Sequence, residues 1–286
     1  MNRVLELYGT STRANQEMDW WVISSDQFCP YLGRKCGKTR KSNPKVTIGT
    51  CSVEYGQERK HLVICPFRLL AKNQVFLDCI HLLTWHEPGN ELYIVPEVGI
   101  PGGSVDYFLV SAVDGKVKDF VGVELQTLDT TGTVWPERQR FLDEQGIKVE
   151  DSDVNSSKKF GMNWKMTAKT ILVQLYHKVE TFASINKHLV LVLQDQFYAY
   201  MRRAFRFEHI KKARLGDPMH IHAYKFVQTG AGDFGIRLDA RYSTDSSGVA
   251  TSLGLSANPQ VELEEIIAIL EEKISKATQL GLNELT

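Results

Sequence analysis

Polar and apolar positions follow strand-like periods most clearly in VDYFLVSAVDGKVKDFVGVELQ, residues 105–126. Residues 105–113 and 117–126 alternate or run apolar on either side of Asp114-Gly115. That pair between two such runs predicts a β-hairpin. Residues 92–98 predict a short strand entering a Gly-rich turn at 101–104. Residues 163–185 carry the strongest helical signal. Met166, Thr170, Val173 and His177 recur at near-helical spacing there, and Ile171, Leu172, Leu175 and Val179 widen the apolar face. HLVLVL at 188–193 reads as a buried central strand. Further strands are expected at 221–228 and 235–242, and an amphipathic helix at 261–280. Residues 69–84 form a helix or a buried strand, and 137–150 a short helix. Residues 151–159 and 246–259 read as loop and turn, and 26–70 as an irregular subdomain. Residues 1–25 fit no single pattern. The order of strand, hairpin, long helix and buried strand predicts an α/β fold, with a mixed central sheet flanked by helices. The expected division is 1–85, a cysteine-containing N-terminal segment, and 86–286, the α/β domain with its C-terminal helix.

Candidate chemistry sits on the hairpin. Glu124 and Gln126 are two residues apart and share one strand face. A three-residue loop at 114–116 sets Asp106 opposite Glu124. A two-residue loop instead sets Val105 there and turns Asp106 to the other face, unless a bulge restores the register. Two carboxylates on neighbouring strands can hold a hard divalent cation such as Mg²⁺. Such a cation activates water and stabilises a phosphoryl transition state. Glu97, nine residues before Asp106, is a third candidate carboxylate. Gln126 takes the place where a lysine often completes such a site. Its amide donates and accepts hydrogen bonds but supplies no charge, which leaves the electrostatic work to the cation.

The chain has 286 residues, 43% hydrophobic, and a formal net charge of zero. That balance favours no partner, but its distribution does. RKCGKTRKSNPK (34–45) carries six basic residues and no acid, and RRAFRFEHIKKAR (202–214) carries six and one acid. Local basic patches attract phosphates. The opening residues hold no apolar leader, and no stretch approaches 18 apolar residues. The expectation is a cytoplasmic protein without a membrane partner. Five cysteines in such a chain argue against a disulfide framework. Cys29, Cys36, Cys51 and Cys65 cluster in sequence, beside Pro30, Gly37, Gly49 and Pro66. Their spacing lacks a tight Cys pair, yet four thiolates would favour zinc or iron in a tetrahedral site. Cys79, in VFLDCIHLL, reads as a small buried hydrophobe. His220 and His222 read as ordinary strand histidines.

The segment CPYLGRKCGKTRKSNPKVTIGTCSVEYGQERKHLVICPFRLL resembles the N-terminal segment of the NotI-type restriction endonucleases. PGGSVDYFLV…GVELQ is similar to that family's active-site hairpin, glutamine included. The resemblance covers residues from about 29 to 130. It implies a PD-(D/E)-x-K nuclease core in its Glu-x-Gln form, with Asp106, Glu124 and Gln126 as the catalytic set and Asp106 and Glu124 holding Mg²⁺. It also implies one structural iron on Cys29, Cys36, Cys51 and Cys65, with zinc as the alternative. The implied activity is cleavage of double-stranded DNA at a palindromic, GC-rich site by a homodimer. A cognate DNA methyltransferase would be its genetic partner. Lys38, Arg40, Lys41 and Lys45 then lie on a metal-pinned loop where they would contact DNA. Lys158, Lys159, Asn163 and Lys165, at the start of the long helix, form a second DNA-facing set. Two other readings share these residues: a repair or recombination nuclease without site specificity, and a non-catalytic, metal-stapled DNA-binding protein.

Overall fold

The computed structural model describes residues 3–40, 42–230 and 232–255, together with Ile267. Met1–Gly254 form one compact unit and Leu255–Thr286 a second. The helix expected over 261–280 lies outside the described residues, as does Lys41.

The first unit is built on a seven-stranded mixed sheet. Its strands are β1 (Glu91–Ile100), β2 (Gly103–Val113), β3 (Lys116–Gln126), β4 (His188–Gln194), β5 (Lys211–Lys212), β6 (Met219–Gln228) and β7 (Phe234–Thr244). Their order across the sheet is β5-β7-β6-β4-β3-β2-β1. The pairs β3–β4 and β4–β6 are parallel and the others antiparallel. Parallel neighbours need a crossover connection. The one between β3 and β4 carries the long helix Trp164–Ser184. Every residue of β4 is buried, as a central strand covered on both faces requires.

One sheet face packs against the long helix. Phe108, Leu189, Leu191 and Leu193 meet Leu172, Leu175, Val179 and Phe182 there. The other face carries Leu109, Val121, Val123, Val190 and Val192. They pack against Leu69, Leu70, Val75, Phe76 and Leu82, from the broken helical stretch Pro66–Asn73, Gln74–Leu77 and Ile80–Leu82. A second, four-stranded antiparallel sheet runs in the order Thr10–Ser11, Val4–Leu7, Thr50–Tyr55, Lys60–Val63.

Several expectations change. Residues 28–63 form short paired strands and a helical stretch begins at Pro66, where an irregular subdomain was expected at 26–70. Asp151–Val154 and Ser246–Leu253 are helical where loop and turn were expected. In the latter, the Asp245 side chain accepts from the Gly248 amide, an N-cap that stabilises a short helix. The long helix is where the periodicity placed it, but its faces divide differently. Met166, Thr170, Val173 and His177 point outward. The buried stripe is Thr167, Ala168, Ile171, Leu172, Leu175, Lys178, Val179 and Phe182. Lys178 is therefore the one charged residue in a largely apolar stripe.

Candidate active site

The hairpin turn holds two residues. Asp114 and Gly115 have φ of 49° and 70°, and positive φ at both central positions is what a type I′ turn requires. Val113 pairs with Lys116 and Ala112 with Val117. Continued unbroken, that register would turn Asp106 away from Glu124. The register shifts between Ser111 and Ala112, where Ser111 pairs with Asp119 and Lys118 is the extra residue. From the bulge onward Tyr107 faces Val123, so one step further Asp106 is level with Glu124. A bulge places two residues on one strand against one on the other and so corrects the register by a single position. Asp106 is half-buried and accepts a hydrogen bond at Oδ2 from the Leu125 amide, 2.9 Å away. On its other side β1 pairs Val98 with Val105 and Pro96 with Tyr107, which sets Glu97 level with Asp106. Glu97 is exposed and has φ of 52°.

Glu124 is buried on the sheet face that meets the long helix. Burial pushes its carboxyl up to about 7, with the nearby Asp106 charge adding to the rise. Burial also raises the Asp106 pKa above its ordinary value, and the charge of Glu97 contributes. Two acids held this way are short of positive charge. Part of it comes from a residue that the hairpin sequence does not contain. Lys178, on the long helix, donates from Nζ to Glu124 Oε1 at 2.6 Å, and both side chains are buried. Its charge also lowers the pKa of Asp106. The signal that could have found it is the charged residue within the apolar stripe, since lysines are rarely buried without a partner. Gln126 lies on the same strand face as Glu124, and its amide Nε2 donates to the Thr127 carbonyl at 2.6 Å.

The chemistry of this pair suits a hard cation, because two adjacent carboxylates with raised pKa values gain from any positive partner. Among the described residues, no group of three or more His, Cys, Asp or Glu side chains is arranged to hold a metal ion. The two hairpin acids therefore stand as a pair, with Glu97 at the rim.

The four N-terminal cysteines are free and buried. Cys29 and Cys36 bracket the small hairpin of Phe28–Cys29 and Arg34–Lys35, where the Cys36 amide donates to the Gln27 carbonyl at 2.8 Å. Cys51 lies on the second sheet, and its carbonyl accepts from the Cys65 amide at 3.2 Å. The Cys51 thiol donates to the Gly49 carbonyl at 3.5 Å, and its proximity to Cys65 raises the Cys51 pKa and lowers that of Cys65. The charges of Cys36 and Cys65 act on Cys29. The four are thus electrostatic neighbours with soft donor atoms, which fits a thiophilic metal, although their arrangement stops short of a closed ligand set. Cys79 is fully buried, as its apolar setting implies.

The basic candidates divide. Lys38 donates to the Ile64 carbonyl at 3.1 Å and favours the ionised form of Cys65. Arg40 is 3.3 Å from Asp153 and stacks over Trp135 at 4.4 Å. Lys45, Lys158, Lys159 and Lys165 are exposed, and Asn163 is half-buried. His220 and His222 are fully enclosed. Burial pushes their pKa values down to about 4 and about 3.

The family model described as "Restriction endonuclease NotI" matches residues 23–228, well over half the chain. The chain belongs to the NotI restriction endonuclease family. The match spans the cysteine segment, the hairpin with Asp106 and Glu124, the long helix with Lys178, and β4 and β6. Neither the curated proteins nor the solved structures contain a match to it. Among the described residues, no helix is long and apolar enough to cross a membrane.

Proposed function

We propose that this member of the NotI family is a type II restriction endonuclease that uses Mg²⁺ to hydrolyse double-stranded DNA at a palindromic, GC-rich site. The observation that carries the reading is the bulge-corrected hairpin, which levels Asp106 with Glu124 in a chain of this family. Asp106 and Glu124 hold the cation, within a core of the PD-(D/E)-x-K type. Bound there, Mg²⁺ supplies an activated water and neutralises charge developing on the phosphate. The Leu125 amide holds Asp106 Oδ2, so Oδ1 would be the oxygen to hold the cation. Gln126 turns from the Thr127 carbonyl to orient water or a phosphate oxygen through its amide. Glu97 is a peripheral carboxylate on the same side.

Recognition falls to the basic residues. Lys45, Lys158, Lys159 and Lys165 contact phosphates, which position the protein without reading sequence. Arginine and lysine read guanine O6 and N7 in the major groove, which suits a GC-rich site. A homodimer matches its twofold axis to that of a palindrome. Cys29, Cys36, Cys51 and Cys65 hold one structural iron, with zinc as the alternative. Lys38 and the adjacent backbone steady that cluster.

The test is digestion of a sequenced plasmid with Mg²⁺, followed by end sequencing. Discrete fragments with one shared end sequence support the reading. A smear or structure-dependent nicking supports a non-specific nuclease instead. Asp106→Ala is expected to bind DNA without cutting it. Unchanged function in that variant would identify a non-catalytic DNA-binding protein. Metal analysis of purified protein tests the cysteine site, and well under about one tightly bound metal per chain refutes it.

A further inference from the structure

Gln126 leaves the strand without a cation beside Glu124, yet the site contains one. Lys178 lies 54 residues beyond Glu124 and meets it at 2.6 Å. We propose that Lys178 is a catalytic residue that supplies the positive charge missing at position 126, delivered from the long helix instead of from the strand. The inference rests on the endonuclease reading above.

Three features argue that the fold is arranged around this lysine. The turn before β2 is Pro101-Gly102-Gly103, with φ of 95° and 134° at the glycines. A Cβ on Gly102 would lie 2.7 Å from the His177 carbonyl oxygen, and one on Gly103 would lie 3.2 Å from Lys178 Cε. Only glycines let the turn pass so close to the helix here. The Thr181 hydroxyl donates to the Pro101 carbonyl at 2.7 Å, tying the helix to the same turn. The helix also presses on the sheet at Gly122, two residues before Glu124. A Cβ there would meet Phe182 Cζ at 2.4 Å. Helical side chains lean toward the N-terminus of their helix, so these anchors fix where the ammonium is delivered.

The ion pair has little to recommend it for stability alone. Removing two charges from water offsets much of their attraction, and such pairs are weak stabilisers. An ammonium carries three donors, and the bond to Glu124 uses one. The remaining donors can face a phosphate oxygen or the attacking water, a role open to any lysine delivered to this point. The strand position, occupied by Gln126, and the helix position, occupied by Lys178, are then two routes to one point of charge.

That equivalence is testable by moving the charge. Wild type, K178M, Q126K and Q126K/K178M are compared for folding by circular dichroism, DNA binding without Mg²⁺, and cleavage with it. K178M is expected to fold and bind DNA normally, with KM nearly unchanged and kcat down by about 100-fold, the scale for losing one preorganised donor. Q126K/K178M is expected to recover at least about tenfold of that loss, because the strand route restores the charge. A calorimetric Mg²⁺ titration without DNA gives an independent readout. K178M should bind the cation more tightly, since the ammonium no longer competes for Glu124. Wild-type rates in K178M, or a folded Q126K/K178M no faster than K178M, would overturn the assignment. Unfolding of both Lys178 variants would mark the residue as a fold-stabilising cation and also overturn it. Unchanged Mg²⁺ affinity counts against it as well. A wild-type protein that cuts no DNA overturns the endonuclease reading itself, whereas failure of Lys178 alone requires a wild type that cuts.

Discussion

Gly122→Ala should damage stability and activity together, because one methyl group would separate the sheet from the helix that carries Lys178. The added Cβ would lie 2.4 Å from Phe182 Cζ, 2.9 Å from Leu189 Cδ1 and 3.0 Å from Phe182 Cε1. Ordinary contact begins near 3.4 Å, so the Phe182 ring must withdraw by about 1 Å. Both neighbours are buried, and Phe182 already stacks on Phe108 at 6.1 Å, which limits its escape. Overpacking of this kind costs about 1–3 kcal/mol. In a protein of this size each kcal/mol lowers Tm by roughly 2–4 °C. Phe182 is one turn from Lys178, so a helix pushed outward draws the ammonium from Glu124. A displacement of about 1 Å at a reacting centre can lower the rate by about 100-fold. Denaturant unfolding and plasmid cleavage measure the two effects, and a second-site Phe182→Leu change should relieve both by making room. Wild-type stability and cleavage in Gly122→Ala would refute this account of the helix–sheet contact. Lost stability with no loss of rate would sever the link from packing to the site.

Four further outcomes follow from buried charge and local contacts. Arg68 and Glu6 form an ion pair at 2.8 Å with both side chains 2% exposed. Arg68→Met strands the carboxylate and should cost about 3–5 kcal/mol, measured by urea unfolding. Adding Glu6→Gln should recover part of that, and no recovery would argue against a stranded charge. His222 has its folded pKa depressed from 6.5 to about 3, so its neutral form supports the fold fully above about pH 6.5. That support is lost as pH falls, because the unfolded chain takes the proton first. Between pH 6.5 and 5 the loss is about 2 kcal/mol. It should be absent from the stability profile of His222→Leu, and parallel profiles for the two proteins would contradict it. Arg40→Ala should lower stability by roughly 1 kcal/mol, since Arg40 stacks on Trp135 and pairs with Asp153. Lys45→Ala should instead leave stability unchanged and reduce the salt slope of DNA binding by about one.

Local pattern determined a good deal of this protein. The Asp-Gly turn, the two strands beside it, the buried strand HLVLVL and the long helix all rest on periods and turn chemistry that act within a few residues. The acids at 106 and 124 were legible for the same reason, as was the absence of a charge at Gln126. Tertiary structure decided what those residues face. The turn alone would have set Asp106 on the wrong side, and the bulge at Lys118 reversed that. A one-residue slip costs little locally but turns every side chain beyond it to the other face, so only packing of the whole sheet selects it. The helix face was decided in the same way. Spacing gave one wide face, of which Ile171, Leu172, Leu175 and Val179 are buried while Met166 and Val173 are 58% and 48% exposed, because only the sheet chooses which part of that face it covers. That choice buries Lys178 against Glu124. No local rule joins residues 54 positions apart; the close passage of the helix over Gly102, Gly103 and Gly122 does.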